Sequence, residues 1–146
     1  VISKAFRRLL SLPAADRSLL LRSLTLVAAA KLALWVLPFN IARKVLSVGS
    51  RRRTGTPDET PERIGVAVSR ASEITGGSCL SQAVAAESLL LRCGHPVDFR
   101  IGVVKTDDGR LEAHAWVESG GRLIVGDLPQ GLSAYSPLPP LPRVSG

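Results

Sequence analysis

Apolar residues recur at spacings near three and four along the first third of the chain: Leu19, Leu20, Leu24, Val27 and Leu34. That period predicts an amphipathic helix, and Pro13 with Asp16 suits its start. The stretch Leu24 to Phe39 is strongly apolar, but Lys31 interrupts it and Pro38 ends it. It falls short of the roughly 20 clean residues that span a bilayer, and reads as a buried helix or one half of a helical hairpin. Proline removes a helical donor and clashes with the preceding turn, so Pro38 predicts a break. A short helical continuation follows over Ile41 to Leu46, within a helical segment reaching about Val48. So broad an apolar surface needs cover, from the rest of the domain or from another protein.

Gly49 to Pro57 is polar, basic and broken by Gly and Pro, which predicts an exposed linker. Thr60-Pro61-Glu62 then offers an N-cap, a proline at the first helical position and an acid in the first turn. Ile64, Val68 and Ala71 form one face of that helix, and Gly76-Gly77 stops it. Ser78 can cap the next helix, with Cys79 as its first residue, Leu80, Ala83, Val84, Leu90 and Leu91 at buried positions, and Gly94 at its end. His95-Pro96 turns the chain into strands predicted at Phe99 to Val104, Ala113 to Glu118 and Leu123 to Val125. Asp107-Asp108-Gly109 and Gly120-Gly121 supply the hairpin turns between them. A helix followed by an antiparallel meander is an α+β arrangement. The expected organisation is one domain: a helical front over 1–48, a linker over 49–60, an α+β core over 61–127 and an extended Pro-rich tail over 128–146.

Length and charge refine this picture. With 146 residues the chain can build one domain with a real core; aromatics are only 4%, so Leu, Val, Ile and Ala must fill it. Residues 1–53 hold eleven Lys or Arg against one acid, Asp16, a net of +10 that leaves −3 for the remainder of a chain carrying +7. No aromatic or Gly-rich pattern accompanies these charges, so the expectation is a solvated helix face and a basic linker, with no nucleic-acid partner. Peripheral membrane contact through the apolar front is a lesser expectation. The two cysteines make no disulfide framework, since on one helix Cys79 and Cys93 would stand about 21 Å apart. A reducing compartment follows. The apolar stretch begins too far in, and lacks the small-residue cleavage site, to read as a secretory signal; a cytoplasmic protein is expected.

Cys79 is where a nucleophilic thiol is best served. The first turn of a helix presents unpaired N–H groups and the positive end of the dipole, which favour a thiolate and can hold an oxyanion. The plainer alternative is a small buried hydrophobe. In the run Glu112-Ala113-His114-Ala115-Trp116-Val117-Glu118, strand alternation puts Glu112, His114 and Trp116 on one face and the apolar residues on the other, core-facing one. Asp127 closes the next strand and can come near one end of the His114 ring, the third role in a nucleophile–base–carboxylate triad; by itself it would read as a turn residue. Glu112 and Glu118 are rival orienters, and Gln82 is a weak candidate for a second oxyanion donor. A zinc site from Cys79, Cys93, His95 and His114 fails because ligands at opposite ends of one helix cannot meet. No metal or cofactor is called for.

Cys79-Leu80, Leu89-Leu90-Leu91-Arg92-Cys93-Gly94, Ile101-Gly102-Val103, Ala113-His114-Ala115-Trp116-Val117-Glu118 and Gly126-Asp127 together resemble the leader peptidases of lasso-peptide biosynthesis. These belong to the bacterial transglutaminase-like superfamily of papain-related folds. Leu9 to Ala15 and Leu37-Pro38-Phe39 extend the resemblance over nearly the whole chain. It implies Cys79 as nucleophile, His114 as general base and Asp127 as orienting carboxylate. It also implies cleavage of a ribosomally made precursor between leader and core, before a separate ATP-dependent macrocyclase closes the ring. With no room for a recognition domain before residue 60, the chain resembles the split form, in which a small separate protein recognises the leader. The same triad can serve amide transfer instead of hydrolysis, and the alternative of another class is a non-catalytic partner-binding or membrane-peripheral protein on the same fold.

Overall fold

A computed structural model describes residues 4, 7, 10–48, 59–128, 131–139 and 141–143. Helix α1 (Ala14–Val36) is followed, after the break at Pro38, by α2 (Phe39–Val48), then α3 (Pro61–Thr75) and α4 (Cys79–Arg92). Four strands follow: β1 (Asp98–Lys105), β2 (Leu111–Ser119), β3 (Arg122–Val125) and β4 (Ser136–Pro137). The strands form one antiparallel sheet in the order β3-β2-β1-β4. The expected α+β class is what the chain adopts.

The caps explain where the helices start and stop. Thr60 Oγ1 accepts the Arg63 N–H at the head of α3, with Pro61 at the first helical position. Gly76 ends α3 in the left-handed region at φ 62°. Ser78 Oγ accepts the Ser81 N–H at the head of α4. At the other end of α4, Gly94 N–H bonds Leu91 O and His95 N–H bonds Leu90 O, with Gly94 at φ 78°; that pair of bonds is a Schellman cap.

Helix α4 is the centre of the fold, buried at every position from Ala83 to Leu90. It touches α1, α2 and α3 and lies against β2 and β3. Helix α1 buries Leu19, Leu20, Ser23, Leu26, Val27 and Ala30. The sheet contributes Phe99, Ala115, Val117 and Val125 to the same cluster. Each fully buried Leu or Val is worth about 1.5–3 kcal/mol, so this shared cluster ties helices and sheet into one unit. At Gly65 a Cβ would lie 2.5 Å from Ile124 O, so glycine there lets α3 close directly on β3. Length and apolar composition alone would let α1 cross a bilayer; its buried stripe is what ties it to this domain. Lys31, which interrupts the apolar run, donates to Thr75 O at 2.8 Å and Gly76 O at 3.1 Å. It caps the negative end of α3.

Two buried or part-buried charge clusters add directional constraints. Arg43 of α2 donates to both carboxylate oxygens of Glu87 on α4, at 2.8 and 2.6 Å, and to Pro142 O at 3.1 Å, while lying 4.8 Å over the Phe99 ring. Glu59 accepts from Arg22 and, at 3.2 Å, from the Cys93 thiol, while its carbonyl meets His95 Nε2 at 2.7 Å. Glu59 is 5% exposed, so the end of the expected 49–60 linker belongs to the packed fold. These partners lie far away in sequence. The rest of that linker, residues 49–58, lies outside the described residues.

The extended tail packs along the domain and adds a strand to the sheet. Ser136 and Pro137 pair with Val103 and Gly102 as a fourth strand, Leu138 N–H bonds Ile101 O at 2.8 Å, and Arg143 reaches Asp98 at 3.6 Å. The tail thus runs antiparallel along the outer edge of β1. Its prolines supply no donors for further pairing, which suits a sheet edge that must not recruit another strand.

Candidate active site

Cys79 is the first residue of α4, half-buried and packed against the core. The side chain thus sits at the positive end of the most buried helix in the fold. His114 lies on β2 opposite Gly102 of β1, on the sheet face away from Ala115 and Val117. Ala115 and Val117 meet the core as alternation requires, whereas Ala113 is exposed. Trp116 is only 4% exposed although it shares the His114 face, because the sheet's other side is itself covered there.

Two glycines make that cover possible. At Gly102 a Cβ would lie 2.9 Å from the Trp116 ring and 3.0 Å from Tyr135 Cβ. At Gly126, where φ is 96°, a Cβ would lie 2.5 Å from Trp116 Cβ and 2.8 Å from Ala115 O. Only glycine lets the chain leave β3 this close to β2. That approach delivers the Gly126 carbonyl to His114 Nε2 at 2.7 Å. A carbonyl oxygen can only accept, so Nε2 carries the proton in neutral His114 and Nδ1 holds the free lone pair. The ring stacks on Trp116 at 6.4 Å and meets Tyr135 at 5.6 Å.

Asp127 follows Gly126 and is exposed. It lines a cavity of about 420 Å³ together with Gly76 and Gly77 between α3 and α4, Gln82 in the first turn of α4, and Ser69, Ser72 and Glu73 of α3. Cys79 stands in sequence between Gly77 and Gln82. The Gly126-Asp127 turn therefore lies beside the residues that lead into α4, while His114 is bonded to the Gly126 carbonyl and neither Cys79 nor His114 lines this cavity. Among the described residues no hydrogen bond joins the Cys79, His114 and Asp127 side chains to one another; the group bonded to the imidazole is the Gly126 carbonyl. Glu118 is engaged by Trp116 Nε1 at 3.1 Å, and Glu112 is exposed. Gln82 donates its amide to Ser69 Oγ at 3.0 Å.

The second thiol is of a different kind. Burial, with the Glu59 carboxylate as acceptor and neighbouring charge, pushes Cys93 up to about 11 from an ordinary 9.0, against a smaller opposing pull from Arg22. The folded state thus favours the protonated thiol. That contribution to stability is present below pH 9.0 and is lost as pH rises toward about 11.

Residues 24–139 match the transglutaminase-like superfamily, so the chain belongs to that superfamily. Its members include cysteine peptidases and are often cysteine-dependent enzymes. The match begins inside α1, so most of the helical front is part of the superfamily domain. No curated protein and no solved structure matches the chain.

Proposed function

We propose that the protein is a cysteine peptidase that removes the leader from a ribosomally made lasso precursor. Cys79 is the nucleophile, His114 the general base and Asp127 the orienting carboxylate, next in the chain to the Gly126 carbonyl that holds the imidazole. The observation that carries this reading is the His114 hydrogen bond: with Nε2 tied to Gly126 O at 2.7 Å, Nδ1 is the nitrogen left to exchange protons. It does so in a transglutaminase-like domain whose Cys79 opens the central helix.

Chemistry follows from these roles. Nδ1 takes the thiol proton, and the Cys79 thiolate attacks the last leader carbonyl. Backbone N–H groups at the start of α4 hold the oxyanion. The imidazolium then protonates the departing amine of the core peptide, leaving a thioester. Nδ1 next takes a proton from water, which attacks the thioester and frees the leader acid and the thiol. The core, with its new N-terminus, passes to a separate ATP-dependent macrocyclase. Two free thiols suit a reducing, cytoplasmic setting.

Leader recognition is assigned to a small separate protein, and the helical front is the surface offered to it. Leu21, Thr25, Ala28, Leu32 and Trp35 follow one another at spacings of four and three along the exposed side of α1. Trp35 is 84% exposed. An uncovered stripe of this kind suits a docked partner. The stripe equally serves a non-catalytic binding protein, so activity decides. Purified protein is mixed with precursor and leader-binding partner, and the products are read by mass spectrometry with a primary amine present. The expected products are a leader ending in a free carboxylate and a core with a free N-terminus. A leader carrying the added amine would assign amide transfer, and intact precursor with the partner bound would assign the binding role.

A further inference from the structure

Nothing in the roles above uses the segment after Asp127, yet that segment supplies one of the two aromatic rings that meet His114. The Tyr135 ring lies 5.6 Å from the imidazole at an interplanar angle of 47°, and its Cβ rests over Gly102, the residue paired with His114 across the sheet. The placement is fixed on both sides. Tyr135 N–H closes a turn onto Leu132 O at 3.0 Å, and Ser136 and Pro137 immediately afterwards join the edge of β1. Further along, Leu141 packs against the core and Pro142 O is held by Arg43.

We propose that Tyr135 is a positioning residue for His114, and that the C-terminal segment thereby completes the catalytic site instead of merely covering a sheet edge. This rests on His114 being the base of the proposed peptidase. The physical reason is the number of restraints on the ring. A single hydrogen bond at Nε2 leaves the imidazole free to swing about that bond and its χ angles. Trp116, two residues away on the same strand, moves with His114 and restrains it in one direction only. Tyr135 comes from another part of the chain and is anchored independently, so it supplies the restraint that strand-mates cannot. Small displacements of a catalytic group cost rate steeply, because proton transfer needs the reacting atoms in line.

The contact is made by the ring, so phenylalanine should replace tyrosine and alanine should not. The test compares wild type, Tyr135→Phe, Tyr135→Ala and His114→Ala in precursor cleavage with the leader-binding partner present, after thermal unfolding has shown each variant folded. Tyr135→Ala is expected to lower kcat about tenfold with KM for the precursor little changed, while Tyr135→Phe stays near wild type. Wild-type kcat in Tyr135→Ala alongside an inactive His114→Ala would overturn the inference and leave the peptidase reading standing. So would equal losses in Tyr135→Ala and Tyr135→Phe. Full activity in His114→Ala would instead remove the base on which both rest.

Discussion

Cys79→Ala is expected to abolish precursor cleavage, a loss of at least about 10⁴-fold, while Cys93→Ala keeps the activity of the wild type. The two cysteines bracket the same helix and differ in everything that governs thiol chemistry. Cys79 opens α4, at the helix end where N–H groups lack intrahelical partners and the dipole favours an anion. Cys93 closes α4, where the dipole is unfavourable to an anion, and its thiol donates to the Glu59 carboxylate. Removing the Cys93 thiol takes one hydrogen bond from Glu59, which retains Arg22 as its partner. Mass spectrometry of precursor incubated with each variant gives the comparison. Cleavage that survives Cys79→Ala removes the proposed nucleophile.

Glu87→Ala is expected to destabilise the fold by about 3–5 kcal/mol, because it leaves the Arg43 guanidinium buried without its counter-charge. The two side chains are 8% and 4% exposed, and the pair is bidentate. A domain of this size has roughly 5–15 kcal/mol in total, so the loss is a large share of it. The effect should reach the site as well, since the same guanidinium holds Pro142 O and so anchors the tail that carries Tyr135. Exchanging both partners for apolar residues of similar volume should cost far less, because no charge is then left buried. Urea midpoints of the single and double variants check this; a midpoint for Glu87→Ala within about 1 kcal/mol of wild type would show the pair to be dispensable.

Local chemistry was the most legible layer of the sequence. Thr60-Pro61, Ser78 and Gly94 each act within three or four residues of themselves, so the caps of α3 and α4 could be read directly. Alternation around His114 identified its face for the same reason. Long-range contacts were not legible. Glu59 reads as the end of a polar linker until Arg22, Cys93 and His95 are brought to it from other parts of the chain. Lys31 reads as a flaw in an apolar helix until the end of α3 arrives beside it. Strand β4 is two residues long and one of them is proline, too short to show any period, and Tyr135 carries no signal at all. Asp127 offers itself as the partner of His114 by its place after a strand. The glycine before it, required by the close approach to Trp116, brings its own carbonyl to the ring instead. A carbonyl acceptor has no side-chain signature, and only the need for positive φ could have pointed to it.

The central claim is that Cys79 is a nucleophile served by His114, and thiol alkylation tests it without substrate or partner. Wild type and His114→Ala are treated with limiting iodoacetamide near pH 7, and the labelled cysteine is assigned by peptide mass spectrometry. Cys79 should be labelled well ahead of Cys93, whose thiol is pushed up to about 11. The His114→Ala substitution should slow Cys79 and leave Cys93 unchanged. Equal labelling of the two cysteines, or a Cys79 rate indifferent to His114, would contradict the account.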